Sequence, residues 1–398
     1  MPQLDANVKD IVNQTVAPIG ISPIRYFAQK FAKIPDLIKL TLGEPDFNVP
    51  EHVKQAAIES IQANKSHYAP QKGILPLRRA ISDYLDDRFG VHYGPESEVV
   101  VTVGATEAIF AAFGAILNPG DKVLIPTPTF SLYMAVVKLF GAIPVEIDTT
   151  ADGFQLTGKH LQAVIDREGA ENIKALVLNF PGNPTGFEYT RPQLEEIANV
   201  VRDQSMYVMT DEIYAELTYG QPHVSMAELL PGKSILVNGL SKSHAMTGYR
   251  VGYFVGPADF IANATKVHGF AVTSVSNPAQ YAALAALTTG RDDAKPMREA
   301  YQQRRDFVVA KLNDLGYQTL KPAGAFYTFS KIPAEFQLSS VEFAEKLAEE
   351  GKVGVTPGNC FGESGEGYFR ISYAASMSDI QTAMERLAVF TEKLTQHA

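Results

Sequence analysis

Seven short runs between 98 and 256 constrain this chain more than any other feature: EVVVTV, KVLIP, IPVEI, KALVLN, MYVMT, SILVNG and VGYFVG. They are rich in β-branched residues, and most are apolar at successive rather than alternate positions. That is the pattern of a strand buried on both faces. Helix-like or loop stretches separate them, which implies βαβ crossovers. The fold class expected is α/β, a mainly parallel seven-stranded sheet with helices on both faces. Ligands of such a sheet gather beyond the carboxyl ends of its strands. The unusual residues fall there: GAT follows EVVVTV, PTPTF follows KVLI, NFPGNPTG follows KALVL, DEIY follows MYVMT and GLSK follows SILVN. A scatter of loop glycines and prolines has no reason to be so one-sided.

After 285 the texture changes. A polar helical stretch runs to Gly316, YQTLKPAGAFYTFSKI reads as strand–turn–strand, and Ser339 with Glu342 makes a capping-box start for a helix that Gly351 stops. VGVTPG, YFRISYA and a final amphipathic helix follow. The expected organisation is a large domain over 46–285 and a smaller α+β domain made of 1–45 and 286–398.

Composition narrows the function. With a formal charge of −9 and no basic block, the chain is a poor match for nucleic acid or an anionic membrane surface. The single cysteine, Cys360, excludes an internal disulfide framework and fits a reducing, cytoplasmic setting. The start, MPQLDANVKD, has no basic and apolar signal-peptide pattern, and the apolar runs are too short to span a bilayer. No metal site is expected.

The strand-edge residues can be taken as one site. Gly104, Ala105 and Thr106 open a helix, where free backbone N–H groups bind anions; packing alone is the competing reading. Phe130 is a flat apolar wall or a core aromatic. Asn183 lies in N-P-T-G, a turn with an X-Pro bond. Asp211 ends a strand, as a helix cap also would, and Tyr214 follows it. Lys242 and Arg250 lie beyond the next strand, and no carboxylate occurs between 231 and 257. A phosphate cradle, an apolar wall, an acid, an amide, a phenol and an amine are what pyridoxal phosphate requires. On that reading Lys242 lacks an acidic neighbour because its amine must be uncharged or covalently held, and Arg250 because its partner is a ligand phosphate.

The chain resembles the class I and II, fold-type I pyridoxal-phosphate aminotransferases over essentially its whole length. The motifs that carry the likeness are LGEPDF (42–47), Tyr68 in YAPQKG, GAT (104–106), NPTG (183–186), DEIY (211–214), SKSHAMTGYR (241–250), GAFY (324–327) and YFRISYA (368–374). The resemblance implies that Lys242 bonds the cofactor aldehyde and shuttles the proton, and that Asp211 pairs the ring nitrogen. It also implies that Asn183 and Tyr214 bond the ring oxygen, that Phe130 stacks on the ring, and that Gly104, Ala105, Thr106 and Arg250 hold the phosphate. Arg370, with Gly43 and Asn183, is implied to bind the substrate, Arg370 clamping its α-carboxylate as a planar fork. Tyr68 is similar to a tyrosine that reaches the partner subunit's phosphate, which implies a homodimer. The sequence departs from the family twice: Gly239 stands where many relatives have a serine, and Phe130 where Tyr or Trp is common.

The expected reaction is a two-half-reaction amino transfer from an aromatic or large apolar amino acid to 2-oxoglutarate. The wording of the motifs is closest to bacterial aromatic and N-acetyl-diaminopimelate aminotransferases. Other enzymes share the scaffold, including carbon–sulfur β-lyases. A regulator with such a domain would need a basic DNA-binding extension, which the charge opposes. Two positions that carry a cation in dicarboxylate-specific branches hold Thr106 and Val272 here. The segment Ile19-Gly20-Ile21 is expected to roof the pocket with apolar surface.

Overall fold

The computed structural model describes residues 2–8 and 11–397. All seven runs become strands: β1 (Val99–Thr102), β2 (Lys122–Thr127), β3 (Ile143–Asp148), β4 (Ile173–Asn179), β5 (Tyr207–Asp211), β6 (Ser234–Gly239) and β7 (Gly252–Val255). They form one sheet in the order β1-β7-β6-β5-β4-β2-β3. Only β7 is antiparallel, to both of its neighbours. The other six strands therefore end at the same edge, and β7 begins there.

The apolar runs follow from burial on two faces. Val99 and Val101 enter a core with the helices Leu75–Phe89 and Asn277–Thr288, while Val100 points into a core with Gly104–Ile116 and Ala258–Val272. Farther along the sheet, Leu124 and Leu176 divide from Val123, Ile125, Ala175 and Val177 in the same way. Successive side chains of a strand point to opposite faces, so a strand covered on both sides has no solvent face to mark with polar residues.

The second sheet comprises β8 (Gln318–Thr319), β9 (Tyr327–Lys331), β10 (Thr356–Pro357) and β11 (Tyr368–Ser372), in the antiparallel order β10-β11-β9-β8. It shares a core with the helices Ala294–Asp314, Ser340–Glu350 and Met377–His397. The capping box is formed: Ser339 Oγ accepts from the Glu342 amide at 3.2 Å and the Glu342 carboxylate from the Ser339 amide at 2.9 Å. The early chain joins this unit. Ile38–Lys39 pairs in parallel with Val353–Gly354, and Ile24, Phe27 and Phe31 enter the same core. Among the described residues no helix is long and apolar enough to cross a membrane.

Candidate active site

The register of the central strands sets the geometry of the site. Asn179, Asp211 and Val237 lie side by side across β4, β5 and β6. Whatever follows each strand therefore emerges level with its neighbours.

Asp211 is the last residue of β5 and is buried. One carboxylate oxygen accepts a 2.7 Å hydrogen bond from the Tyr133 hydroxyl and the other a 3.2 Å bond from the Ile213 amide. Burial pushes its pKa up to about 6 despite these two donors. Tyr133 lies one helical turn past Phe130, and their rings are perpendicular at 6.0 Å. Sequence reasoning missed this tyrosine. The signal available was its spacing of three from Phe130, which places both on one face of a turn.

Lys242 lies three residues past the end of β6. Its Nζ donates to the carbonyl of Gly43 and stands 5.8 Å from the ring centroids of Tyr214 and Phe326. Burial lowers its pKa to about 8. Glu44 and Asp211 oppose the shift, and Arg370 and Arg250 add to it. Arg250 has a left-handed backbone, φ 54°, and donates to the Thr247 carbonyl at 2.9 Å. Among the described residues, both cations find backbone carbonyls rather than carboxylates as hydrogen-bond partners.

The Arg250 guanidinium lies against Gly104, the first residue of the helix Gly104–Ile116; any Cβ there would overlap it. Ala105 is half-buried and Thr106 exposed at that helix start. Gly239 has a local cause. A Cβ on it would lie 2.9 Å from Gly252 Cα and from the Val251 carbonyl, so the close pairing of β6 with β7 leaves no room for the serine of many relatives.

Asn183 and Arg370 meet. Arg370, on β11, is fully buried and donates to Asn183 Oδ1 at 2.8 Å, to Thr356 Oγ1 at 3.3 Å and to the Thr41 carbonyl. Its guanidinium carbon is 4.5 Å from the Tyr327 ring and 4.9 Å from the Phe361 ring. The Arg370 Nε has no hydrogen-bond partner. Tyr214 and Tyr327 share a 2.7 Å hydroxyl contact, and a Cβ on Gly43 would collide with the Tyr327 hydroxyl. Asn179 was also missed. Its side chain accepts from the Asn183 amide at 3.0 Å and donates to the Asp211 carbonyl at 3.1 Å, fixing the N-P-T-G loop to the end of β5. The Asn183–Pro184 bond is cis.

The structure thus brings together Gly43, Gly104, Asn183, Asp211, Tyr214, Lys242, Arg250 and Arg370, with Phe130 linked to Asp211 through Tyr133. Tyr68 stands apart, 89% exposed. The expected apolar roof is not formed: Ile21 is 75% exposed and no atom lies within 4 Å of a Cβ built on Gly20. A segment covers a pocket only where it packs, and these two residues pack on almost nothing.

The sequence profile of the family described as aminotransferase class I and II matches residues 35–387. The chain belongs to that family. It is 42% identical over 386 residues to a Bacillus subtilis protein called a probable N-acetyl-LL-diaminopimelate aminotransferase, covering 97% of each chain. It is 39% identical to an aspartate aminotransferase of Pyrococcus abyssi, covering 93% of this chain and 95% of the relative. Among solved structures, an aromatic aminotransferase from Pyrococcus horikoshii matches with a TM-score of 0.86 and 37% identity, over 92% of this chain and 99% of the other.

The family is pyridoxal-phosphate dependent, and the residues of this aminotransferase fit that cofactor. The amine of Lys242 has its proton affinity lowered toward neutrality. The buried carboxylate of Asp211 lacks a cationic hydrogen-bond partner among the described residues. A glycine-opened helix start faces the Arg250 guanidinium.

Proposed function

We propose that this aminotransferase moves the amino group of an aromatic or other large apolar L-amino acid to 2-oxoglutarate. The observation that carries the amino-transfer reading is Arg370: a buried guanidinium between two aromatic rings, with Nε unpartnered and no carboxylate bonded to it among the described residues. A planar fork in that state suits the α-carboxylate that amino and keto acids share. Arg370 and Asn183 hold that carboxylate, which aims the substrate Cα–H bond toward Lys242. When bound, pyridoxal phosphate supplies a sink for the electron pair left as that bond breaks. Lys242 Nζ, with its pKa lowered to about 8, takes the proton and returns it at the end of the half-reaction. Asp211, with one oxygen fixed by Tyr133, presents a carboxylate to the cationic ring nitrogen, and Asn183 and Tyr214 face the ring oxygen. Gly104, Ala105, Thr106 and Arg250 cradle the phosphate, and Phe130 covers the ring.

The donor preference rests on Thr106 and Val272, both uncharged. A distal carboxylate buried beside them without a partner costs several kcal/mol, whereas an apolar side chain gains from burial. The distal carboxylate of 2-oxoglutarate then requires a cation outside these two positions. The exposure of Tyr68 supports a homodimer in which it reaches the partner's phosphate site. The two-lobed division at 45/46 and 285/286 and a cytoplasmic location belong to the same reading. An N-acetyl-LL-diaminopimelate donor is the second reading, favoured by the 42% identical relative. The test is kcat/KM for phenylalanine, aspartate and N-acetyl-LL-diaminopimelate with 2-oxoglutarate, read as glutamate formed. Phenylalanine should be the best donor. A higher value for aspartate overturns the pocket argument, and a higher value for the diaminopimelate establishes the second reading.

A further inference from the structure

Behind the site, away from any group assigned above, lies a fully buried ionisable trio. The His223 side chain is shielded from solvent between two carboxylates that are shielded equally. Its Nε2 is 2.9 Å from Glu212 Oε2 and its Nδ1 3.3 Å from Glu188 Oε2. Each ring nitrogen faces an acceptor, so both N–H groups donate and the ring is an imidazolium. Phe180 and Phe89 close over it, with ring centroids 5.3 and 5.4 Å away. Burying three such groups is costly unless they do something a packed apolar cluster could not.

Their positions in the chain indicate what that is. Glu212 follows Asp211 directly and precedes Tyr214. Its other oxygen accepts from Thr210 Oγ1 at 2.7 Å, Ser225 Oγ at 2.9 Å and the Met226 amide at 3.2 Å. Glu188 lies just beyond the loop that carries Asn183, a loop closed by the Gly182 amide on the Phe187 carbonyl at 2.8 Å. We infer that His223 is a positioning residue: it ties the Asn183 loop to the Asp211–Tyr214 turn and neutralises Glu212, the anion one residue from Asp211. This rests on the cofactor roles proposed for Asn183, Asp211 and Tyr214.

The remaining groups around the trio leave that charge balance to His223. Tyr93 and Tyr253 are the phenols whose ionisation Glu212 opposes, and burial already holds both well above their ordinary value. Tyr189 lies beside Glu188 and is raised by burial too. Asp211 is faced by Tyr133, Tyr214 and Lys242, none of which neutralises Glu212. Burial alone would lower the His223 pKa; Glu188 and Glu212 outweigh it and raise it to about 10. Burial raises Glu188, with His223 opposing.

The experiment titrates the visible absorbance of the substrate-free, cofactor-loaded protein against pH in wild type, His223→Gln and Glu212→Gln. Removing the cation leaves Glu212 uncompensated and should shift the titration upward; removing the anion should shift it downward, each by about half a unit to one unit. Opposite signs from the two sides of one ion pair support the inference. Shifts of the same sign, or lowered melting temperatures with an unmoved titration, overturn it and leave the trio a packing element. If His223→Gln does not fold, ring-15N histidine NMR of the wild-type protein decides instead. A doubly protonated ring persisting to pH 9 is expected, and a neutral ring at pH 7.5 overturns the inference. A wild-type protein that takes up pyridoxal phosphate without any visible band would instead overturn the cofactor reading itself.

Discussion

Replacing Asp211 by asparagine should make the cofactor-free protein more stable while nearly abolishing turnover. Burial raises the Asp211 carboxyl from an ordinary 3.8 to about 6, a difference of about 2 units. Each unit corresponds to about 1.4 kcal/mol between the protonation states, so the ionised carboxylate costs the fold about 3 kcal/mol. The sign follows from a folded pKa above the unfolded one. The cost is absent below about pH 4, grows between pH 4 and 6, and is complete above 6. An asparagine carries no charge and escapes it. Melting curves of the two cofactor-free proteins should therefore converge near pH 4 and separate by a few degrees above pH 7, with the variant higher. Pyridoxal phosphate should reverse the order, because a cationic ring nitrogen stabilises the carboxylate and gains little from the amide. Turnover by the variant should fall by at least about a hundredfold, about 2.7 kcal/mol of barrier. A cofactor-free variant less stable than wild type throughout pH 5–8 would refute the claim that burial strains this carboxylate. A rate within about threefold of wild type would assign the ring nitrogen to another residue.

Two further outcomes are expected. Lys242→Ala should still bind cofactor non-covalently, lose the visible band that depends on the covalent link, and retain no measurable turnover; substantial activity would remove Lys242 from the mechanism. Arg370→Lys should raise KM for every amino and keto acid tenfold to a hundredfold, since one arm of a charged two-pronged contact is worth roughly 1.5–3 kcal/mol. A lowered melting temperature with unchanged KM would mark Arg370 as a structural cation.

How legible the molecule was from its sequence depends on the range of the interaction. The seven strands could be read directly, because burial on both faces writes an unbroken apolar run into neighbouring residues. The groups that follow those strands could be read too, since strand ends are local features. Tyr133 could not, because its partner Asp211 is 78 residues away and the contact exists only once β2 and β5 share a sheet. Asn179 is an ordinary strand-end residue until its amide is seen to bridge Asn183 and Asp211. Thr41 and Thr356 carry no signal at all, since they act on Arg370 by lying beneath it. The apolar segment at 19–21 misled for the opposite reason: apolar character says that a segment will bury if something is there to receive it, and says nothing of where.

The arrangement of the strands has a consequence for how such an enzyme can diversify. The groups proposed to hold the cofactor follow or precede five adjacent strands, β1, β7, β6, β5 and β4, whose spacing is set by backbone hydrogen bonds and is indifferent to side chains. Point changes on the sheet's surface loops leave that spacing intact, so the chemistry is insulated from mutation there. Thr106 and Val272, which bear on the choice of donor, lie in a helix start and at a helix end rather than within that ladder. Lineages can therefore exchange one substrate for another through a handful of substitutions without passing through an inactive ancestor. The relatives have that history in their names: proteins called aspartate, aromatic and N-acetyl-diaminopimelate aminotransferases stand at nearly the same distance from this chain, 39, 37 and 42% identical.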